Sequence, residues 1–192
     1  MIDIQKEIEK KFPNINKKDN FLKKSLFKVA KKIVHEDSIN QFLTQNAHLK
    51  GFEFVDAVLD YFDFDYTVSS SDLQNIPTSG KVVIIANHPL GGLDALCLLR
   101  LISQVRKDVK IVANDFLAGF EALNSLLIPI DNYKLRQSKN DIKKIYEALN
   151  NEEAIILFPA GEVSRATPKG IKDPAWNKGF LNFAQNSNAP IL

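Results

Sequence analysis

The sequence has almost no cysteine and no long apolar run. Cys97 is the single cysteine among 192 residues, so an internal disulfide is excluded. Since Cys97 stands within the apolar run Leu96–Leu99, we expect it to be a core residue. No stretch approaches the roughly 18–20 apolar residues that a membrane-spanning helix needs, and the N-terminus lacks the apolar centre of a signal peptide. These absences predict a cytoplasmic protein that contacts a membrane only from its surface.

The chain also has little net charge, but that charge is unevenly distributed. Lysines and arginines number 25 against 23 acidic residues, which argues against bulk binding of nucleic acid. Residues 1–35 hold ten lysines and four acidic residues, a net charge of +6, which leaves −4 for residues 36–192. The sequence therefore predicts a basic N-terminal segment, a mildly acidic remainder and no nucleic-acid partner.

The first 65 residues show helical periodicity. Helices are predicted over Ile4–Phe12, Asn20–His35 and Phe52–Phe62. The second of these has an apolar stripe, and its lysines fall mostly elsewhere: Lys24, Lys28, Lys31 and Lys32. A basic amphipathic helix of this kind can lie on an anionic membrane, or it can pack on its own domain with its lysines in water.

From about Tyr66 short β-rich runs alternate with helical segments. The predicted strands are Tyr66–Ser69, Val82–Asn87, Val109–Asn114, Leu126–Ile130 and Ala154–Phe158. The predicted helices are Leu93–Val105, Phe116–Leu123, Asn140–Asn150 and Trp176–Ser187. Hydrophobic strands linked by helices indicate an α/β fold with a mainly parallel sheet flanked by helices. We therefore expect an N-terminal helical segment over 1–65 and an α/β domain over 66–192.

The chain ends at Pro190-Ile191-Leu192, which is typical of the first residues of a further strand. An end inside a nascent strand predicts that these residues belong to a longer fold and that the α/β domain is truncated at its C-terminus.

The loop after the second predicted strand carries the first candidate site, Asn87-His88-Pro89-Leu90-Gly91-Gly92-Leu93-Asp94. Glycines let the backbone approach a ligand, and a helix start leaves N–H groups free to bind an anion. The imidazole of His88 is suited to remove a proton from an alcohol if the carboxylate of Asp94 orients it. The alternative is a hydrogen-bonded turn histidine next to a helix N-cap.

The loop after the last predicted strand carries the second candidate, Phe158-Pro159-Ala160-Gly161-Glu162-Val163-Ser164-Arg165. Gly161 permits a tight turn, while Ser164 and Arg165 offer a hydroxyl and a planar cation that suit a phosphate. Glu162 can pair with Arg165, and the alternative interpretation is a surface loop with an internal ion pair.

Together these loops resemble the glycerophosphate and lysophospholipid acyltransferase family. The four motif blocks of that family correspond, in order, to residues 87–94, 116–120 with 128–132, 158–165, and 176–180 with 189–191. Five residues separate His88 from Asp94 where the family usually has four. This longer turn makes the hemolysin-like branch of the family the closer match.

The resemblance implies transfer of a fatty acyl group from acyl-CoA or acyl carrier protein to the hydroxyl of a lysophospholipid, glycerol phosphate or amino-acid-derived lipid. His88 would take the hydroxyl proton, Asp94 would orient His88, and neither a metal nor a resident cofactor is expected. Lys134 or Arg136, the nearest cations after the second block, could also bind the acceptor. The expected substrate-binding residues are Asn87, Gly91, Gly92, Gly161, Glu162, Ser164 and Arg165.

Lipid substrates favour contact between the basic helix and the inner face of the membrane, through Lys24, Lys28, Lys31 and Lys32. Two other functions compete with acyl transfer. A metal-assisted hydrolase would use His88 and Asp94 as ligands, but no second histidine or acidic cluster stands at ligand spacing. A lipid-binding or membrane-disrupting protein without catalysis would need no base, but the chain lacks a pore-sized apolar segment.

Overall fold

The computed structural model describes residues 35–114, 119–130, 138–168 and 170–192, together with Asp3, Lys6, Glu9 and Phe27. The chain forms two compact units, Met1–His48 and Leu49–Leu192. Helix α1 of the first unit spans Glu36–Gln45. The helices predicted over residues 4–12 and 20–35 fall largely outside the described residues, as do the four lysines expected to contact a membrane.

The second unit alternates strands and helices along the chain. Its elements are α2 (Gly51–Tyr61), α3 (Ser70–Gln74), β1 (Val82–Ile85), α4 (Gly92–Ser103), β2 (Val109–Asn114), a 3-10 helix (Glu121–Leu126), β3 (Leu127–Ile130), α5 (Lys139–Asn150), β4 (Ala154–Leu157), β5 (Arg165–Thr167), β6 (Gly170–Lys172) and α6 (Gly179–Ser187). Strands β1 to β4 form a parallel sheet in the order β1-β4-β2-β3. The predicted α/β fold is confirmed.

The sheet is covered on both faces, which explains why its strands are apolar without alternation. Helices α5 and α6 pack on the face that carries Val83 and Ile155. Ile84 and Ile156 alternate with those residues and are also buried. On that second face α4 packs against β2, and α2 packs on α4. The core therefore lies on both sides of the sheet, and the strand ends remain available for polar loops.

The last residues of the chain extend the sheet beside β1. The Val83 N–H donates to the Pro190 carbonyl at 2.9 Å, and the Leu192 N–H donates to the Val83 carbonyl at 3.0 Å. Val83 and Ile191 form a parallel bridge. This is the strand-like pairing that the sequence predicts for residues 190–192.

Two predicted elements differ from the structure. The strand predicted at Tyr66–Ser69 is wrong, because no strand pairs with these residues in the described part of the chain. The Tyr66 hydroxyl instead accepts a hydrogen bond from Gln104 at 2.7 Å, and Ser69 caps α3 by accepting the Asp72 N–H at 3.1 Å. The helix predicted at Phe116–Leu123 is a 3-10 helix over Glu121–Leu126, while residues 115–118 lie outside the described residues.

Helix α2 belongs to the second compact unit, whereas the sequence placed its division after this helix. Arg100 on α4 pairs with Asp56 at 3.1 Å and with Asp60 at 3.5 Å, both on α2. Val55 and Leu59 are fully buried. Helical periodicity shows that a helix has an apolar face but not which element covers it. The predicted extent of the α/β domain, residues 66–192, stays a prediction.

A buried arginine joins the loops at the amino edge of the sheet. Arg106 is 4% exposed, and its guanidinium donates all five of its N–H groups. The acceptors are both carboxylate oxygens of Asp108 and the carbonyls of Pro77, Gly80 and Glu152, at 2.7–3.2 Å. Because Gly80, Asp108 and Glu152 precede β1, β2 and β4, one side chain fixes the start of three strands.

Replacing Arg106 should destabilise the sheet. We expect Arg106→Ala to lower the free energy of unfolding by about 3 kcal/mol, since it leaves three carbonyls without a donor. Arg106→Lys should fall between the wild type and Arg106→Ala, because lysine keeps the charge but lacks the planar fork.

Urea denaturation measures both Arg106 variants against Lys143→Ala. Lys143 is 70% exposed and, among the described residues, pairs with Glu147 alone, at 3.4 Å on the same helix, so its loss should cost less than about 0.5 kcal/mol. A loss for Arg106→Ala as small as that of the control would contradict the role given to Arg106.

Candidate active site

The sheet brings the two candidate loops to the same edge. Strands β1 and β4 are parallel neighbours with Ile85 opposite Leu157, so both chains leave the sheet at its carboxyl end side by side. Beyond the strands, the Ser164 N–H donates to the His88 carbonyl at 2.8 Å. Two segments about 70 residues apart in sequence thus lie side by side at one edge of the sheet.

His88 and Asp94 face each other inside this site. The distance between His88 Nδ1 and Asp94 Oδ2 is 3.2 Å, and the two side chains are only 17% and 14% exposed. Nδ1 is buried and makes no aligned hydrogen bond in the described structure, so the Asp94 carboxylate is the charge that faces it. Catalytic hydrogen bonds are often long or misaligned in the free enzyme and tighten on substrate.

The same carboxylate also closes the turn. Asp94 Oδ2 accepts the Leu90 N–H at 2.7 Å, and the Asp94 N–H donates to the Gly91 carbonyl at 3.0 Å. Asp94 lies in the first turn of α4, where the helix dipole stabilises an anion. The catalytic and the structural interpretations of Asp94 are therefore compatible, because one oxygen contacts both the turn and the imidazole.

The ring of Phe158 and the carboxylates of Asp94 and Asp173 influence the pKa of His88. Phe158 stacks on the imidazole with ring centroids 3.9 Å apart and an interplanar angle of 18°. Burial lowers the pKa of His88, and the negative charges of Asp94 and Asp173 oppose that shift without reversing it. The ring is thus neutral at neutral pH. With Nδ1 facing a carboxylate, the proton belongs on Nδ1, and Nε2 is left as the base.

Two glycines have the positive φ that each loop needs. Gly161 has φ 72°, and its N–H donates to the Phe158 carbonyl at 3.0 Å. Gly91 has φ 71°, and a Cβ added there would lie 3.4 Å from Val163 Cγ2 of the other loop. Gly92 is different, because its φ is not positive and no atom of the described residues lies within 4 Å of an added Cβ.

Of the remaining expected binding residues, Asn87, Glu162 and Arg165 are exposed, whereas Ser164 is partly buried. Arg165 donates to Glu162 at 2.7 Å, and these side chains are 69% and 50% exposed. This ion pair is the one that the sequence allowed. Asn87 is exposed, and the Ser164 hydroxyl donates to Asp173. Lys134 and Arg136 lie outside the described residues, and the roles of all these residues in binding stay predictions.

Sequence reasoning missed Asp173. Its carboxylate accepts hydrogen bonds from the Ser164 hydroxyl, from Trp176 Nε1 at 2.8 Å and from the His88 N–H at 3.4 Å. It stands after the β5–β6 hairpin, between the third and fourth motif blocks. The only local signal is an acidic residue three positions before the single tryptophan, which does not indicate contact with His88.

The described residues provide neither a poised thiolate nor a set of metal ligands. Cys97 is partly buried rather than fully buried, and burial raises the pKa of its thiol, which disfavours the nucleophilic form. In the described part of the chain, no three histidine, cysteine, aspartate or glutamate side chains gather as metal ligands do. The metal-assisted hydrolase therefore has no ligand set among these residues.

Comparison with known proteins identifies the family. The profile of a family described as Acyltransferase matches residues 7–192. The chain belongs to this acyltransferase family. The match covers the basic N-terminal segment as well as the sheet, and the hemolysin-like branch stays a prediction.

Two curated proteins named lyso-glycine lipid O-acyltransferase are similar to this acyltransferase. The protein of Phocaeicola vulgatus is 33% identical over all of the chain and 67% of its own length. That of Bacteroides thetaiotaomicron is 32% identical over 94% of the chain and 65% of its own length. The chain thus spans about two thirds of the length of these relatives. No solved structure matches it.

None of the described helices combines the length and the apolarity needed to cross a bilayer.

The two adjacent glycines offer a matched test of the turn. Gly91→Ala should lower the free energy of unfolding by about 1–2 kcal/mol, because its positive φ is strained for alanine. Gly92 lies in the first turn of α4, and no described atom is close to an added Cβ. Gly92→Ala should therefore leave the free energy of unfolding unchanged or raise it by about 0.5 kcal/mol. Thermal and urea unfolding measure both, and equal effects would show that the positive φ of Gly91 does not matter.

Proposed function

We propose that this protein transfers a fatty acyl group from an acyl thioester to the hydroxyl of a lyso-glycine lipid, with His88 as general base. The observation that carries the proposal is a partly buried imidazole whose Nδ1 lies 3.2 Å from a carboxylate at the carboxyl edge of a parallel sheet. Family membership supports acyl transfer, and the names of both relatives support this acceptor over glycerol phosphate or a lysophospholipid.

The proposed reaction needs no acyl-enzyme. Nε2 of His88 takes the proton of the acceptor hydroxyl as its oxygen attacks the thioester carbonyl. The C–S bond then breaks, and the departing thiolate of CoA or acyl carrier protein receives that proton from the imidazolium. The Asp94 carboxylate stabilises the imidazolium while it exists. The acyl group moves from sulfur to the acceptor oxygen and the proton moves from that oxygen to sulfur, so the reaction balances without a further reactant.

The negative charge that develops on the thioester carbonyl oxygen during the attack also has to be stabilised. The start of α4 at Gly92 directs N–H groups and the positive end of the helix dipole toward the same loop as His88. We propose this helix terminus as the oxyanion site. Arg165 is the exposed cation of the second loop, and we propose that it attracts the acidic head group of the acceptor, exchanging Glu162 for the substrate.

Apolar side chains on the loops around His88 support contact with lipid. Four of them are exposed by 42–63%: Leu90, Val163, Ile171 and Trp176. All residues of β5 and β6 are exposed as well. An isolated two-stranded hairpin is only marginally stable in water, so a further surface that covers it would stabilise it. The same segments carry the exposed cations Arg165, Lys172 and Lys178. We propose that this apolar rim enters the membrane interface, assisted by the basic N-terminal segment.

Loss of the base should abolish turnover. We expect His88→Ala to lower kcat by about 10³-fold while the protein remains folded by circular dichroism. The assay follows acylation of lyso-glycine lipid by acyl-CoA and by acyl carrier protein thioesters, with lysophosphatidic acid and glycerol 3-phosphate as competing acceptors. In the wild type the acid limb of kcat/KM should have its midpoint below about 6.5, since burial lowers the pKa of His88.

A folded His88→Ala protein with wild-type turnover would refute the role of His88. Preference for glycerol 3-phosphate or lysophosphatidic acid would refute the acceptor but leave acyl transfer intact.

The apolar rim should be needed for binding to vesicles. We expect Ile171→Asp to weaken co-sedimentation with vesicles containing anionic lipid by about tenfold, because Ile171 is 63% exposed on the hairpin. Phe62→Asp is the matched control, since Phe62 is 48% exposed at the end of α2 and outside the loops around His88. Equal binding by both variants would show that the rim does not contact lipid.

A further inference from the structure

A single carboxylate joins the three segments that surround His88. Asp173 Oδ1 accepts from the Ser164 hydroxyl and from the His88 N–H, and Asp173 Oδ2 accepts from Trp176 Nε1. These donors come from the loop after β4, the loop after β1 and the segment before α6. Beside this carboxylate, the Asn177 N–H donates to the Pro159 carbonyl at 2.9 Å. All three segments therefore converge on Asp173.

We propose that Asp173 is a positioning residue that holds the His88 turn, the Ser164 loop and Trp176 in the arrangement needed for proton transfer. It contacts the backbone of His88 rather than the ring, so it acts on the base through the position of the turn. This inference rests on the proposed function of His88 as a base.

The chemistry of the three donors requires a carboxylate. Both oxygens of an ionised aspartate accept and neither donates, which matches three converging N–H and O–H groups. The hydrogen bonds from Ser164 and Trp176 hold the pKa of Asp173 below its usual range. An asparagine would place an NH₂ group against either Trp176 or the pair formed by Ser164 and His88. In both orientations of the amide a donor would face a donor.

Asp173 also contributes to the charge around the imidazole. Among the residues that the structure describes, the carboxylates that face His88 are Asp94 from α4 and Asp173 from the segment after β6, and Phe158 from the β4 side adds no charge. Both carboxylates oppose the effect of burial on the pKa of His88. Removing one of them should therefore lower that pKa further and move the acid limb of the rate profile to lower pH.

The test is Asp173→Asn, with Asp72→Asn as the matched control. Asp72 is likewise an aspartate that accepts a serine hydroxyl, from Ser69 at 2.7 Å, but it is exposed at the start of α3. We expect Asp173→Asn to lower kcat about tenfold, within the range for a catalytic group displaced by less than 1 Å. KM should change less than about twofold, and Asp173→Glu should recover part of the rate because it keeps both acceptor oxygens.

Two measurements report on the arrangement without acyltransferase activity. The chain has three histidines and one tryptophan, so the NMR signals of His88 and of the Trp176 indole are readily assigned. In Asp173→Asn the His88 pKa should fall and the indole N–H should exchange with water at least about tenfold faster. Asp72→Asn should change neither signal. If the wild type proved inactive as an acyltransferase, these signals would still test the arrangement.

An unchanged His88 titration together with an unchanged kcat in folded Asp173→Asn would overturn the proposal. Lower stability with a wild-type kcat for the folded fraction would also overturn it, because that result indicates a structural role alone. If Asp173→Asn does not fold, Trp176→Phe removes one donor and keeps the carboxylate. A drop in kcat with unchanged KM in that variant would support positioning, and an unchanged kcat would oppose it.

Discussion

The parallel pairing of β1 with β4 is the constraint on which the site depends. With Ile85 opposite Leu157, both strands end at one edge, and the loop with His88 must lie beside the loop with Ser164. Because the strands are apolar on both faces, helices must cover them, and only the strand ends are left for polar side chains. That register brings the two loops close enough for the Ser164 N–H to donate to the His88 carbonyl.

Charged side chains organise the two edges of the sheet in opposite ways. At the amino edge Arg106 donates five hydrogen bonds and fixes where three strands begin. At the carboxyl edge Asp173 accepts three and joins the segments around His88. The first ion is buried and satisfied, so it stabilises the fold. The second lies next to a base whose protonation responds to nearby charge, so it bears on reactivity.

The hydrophobic pattern predicted the strands well where burial on both faces of the sheet requires uniformly apolar residues. The predicted strand Val109–Asn114 agrees with β2, and the other three strands of the sheet differ from prediction by one or two residues at one end. The strand predicted at Tyr66–Ser69 is wrong because partly buried and exposed residues also alternate when a chain runs over a surface without a partner strand. The serine at 69 caps a short helix, and such a cap competes locally with strand pairing.

By itself the sequence determined the α/β class, the two loops with their glycine turns, and the presence of a histidine and an acid at a helix start as a candidate pair. Those features depend on residue type and short spacing. Only the tertiary structure decided that α2 belongs to the second unit and packs on α4, that Ser164 donates to Asp173 and that Asp173 reaches the His88 turn. These contacts join residues from different elements, so they depend on how helices and loops pack around the sheet and leave no periodic signal along the chain.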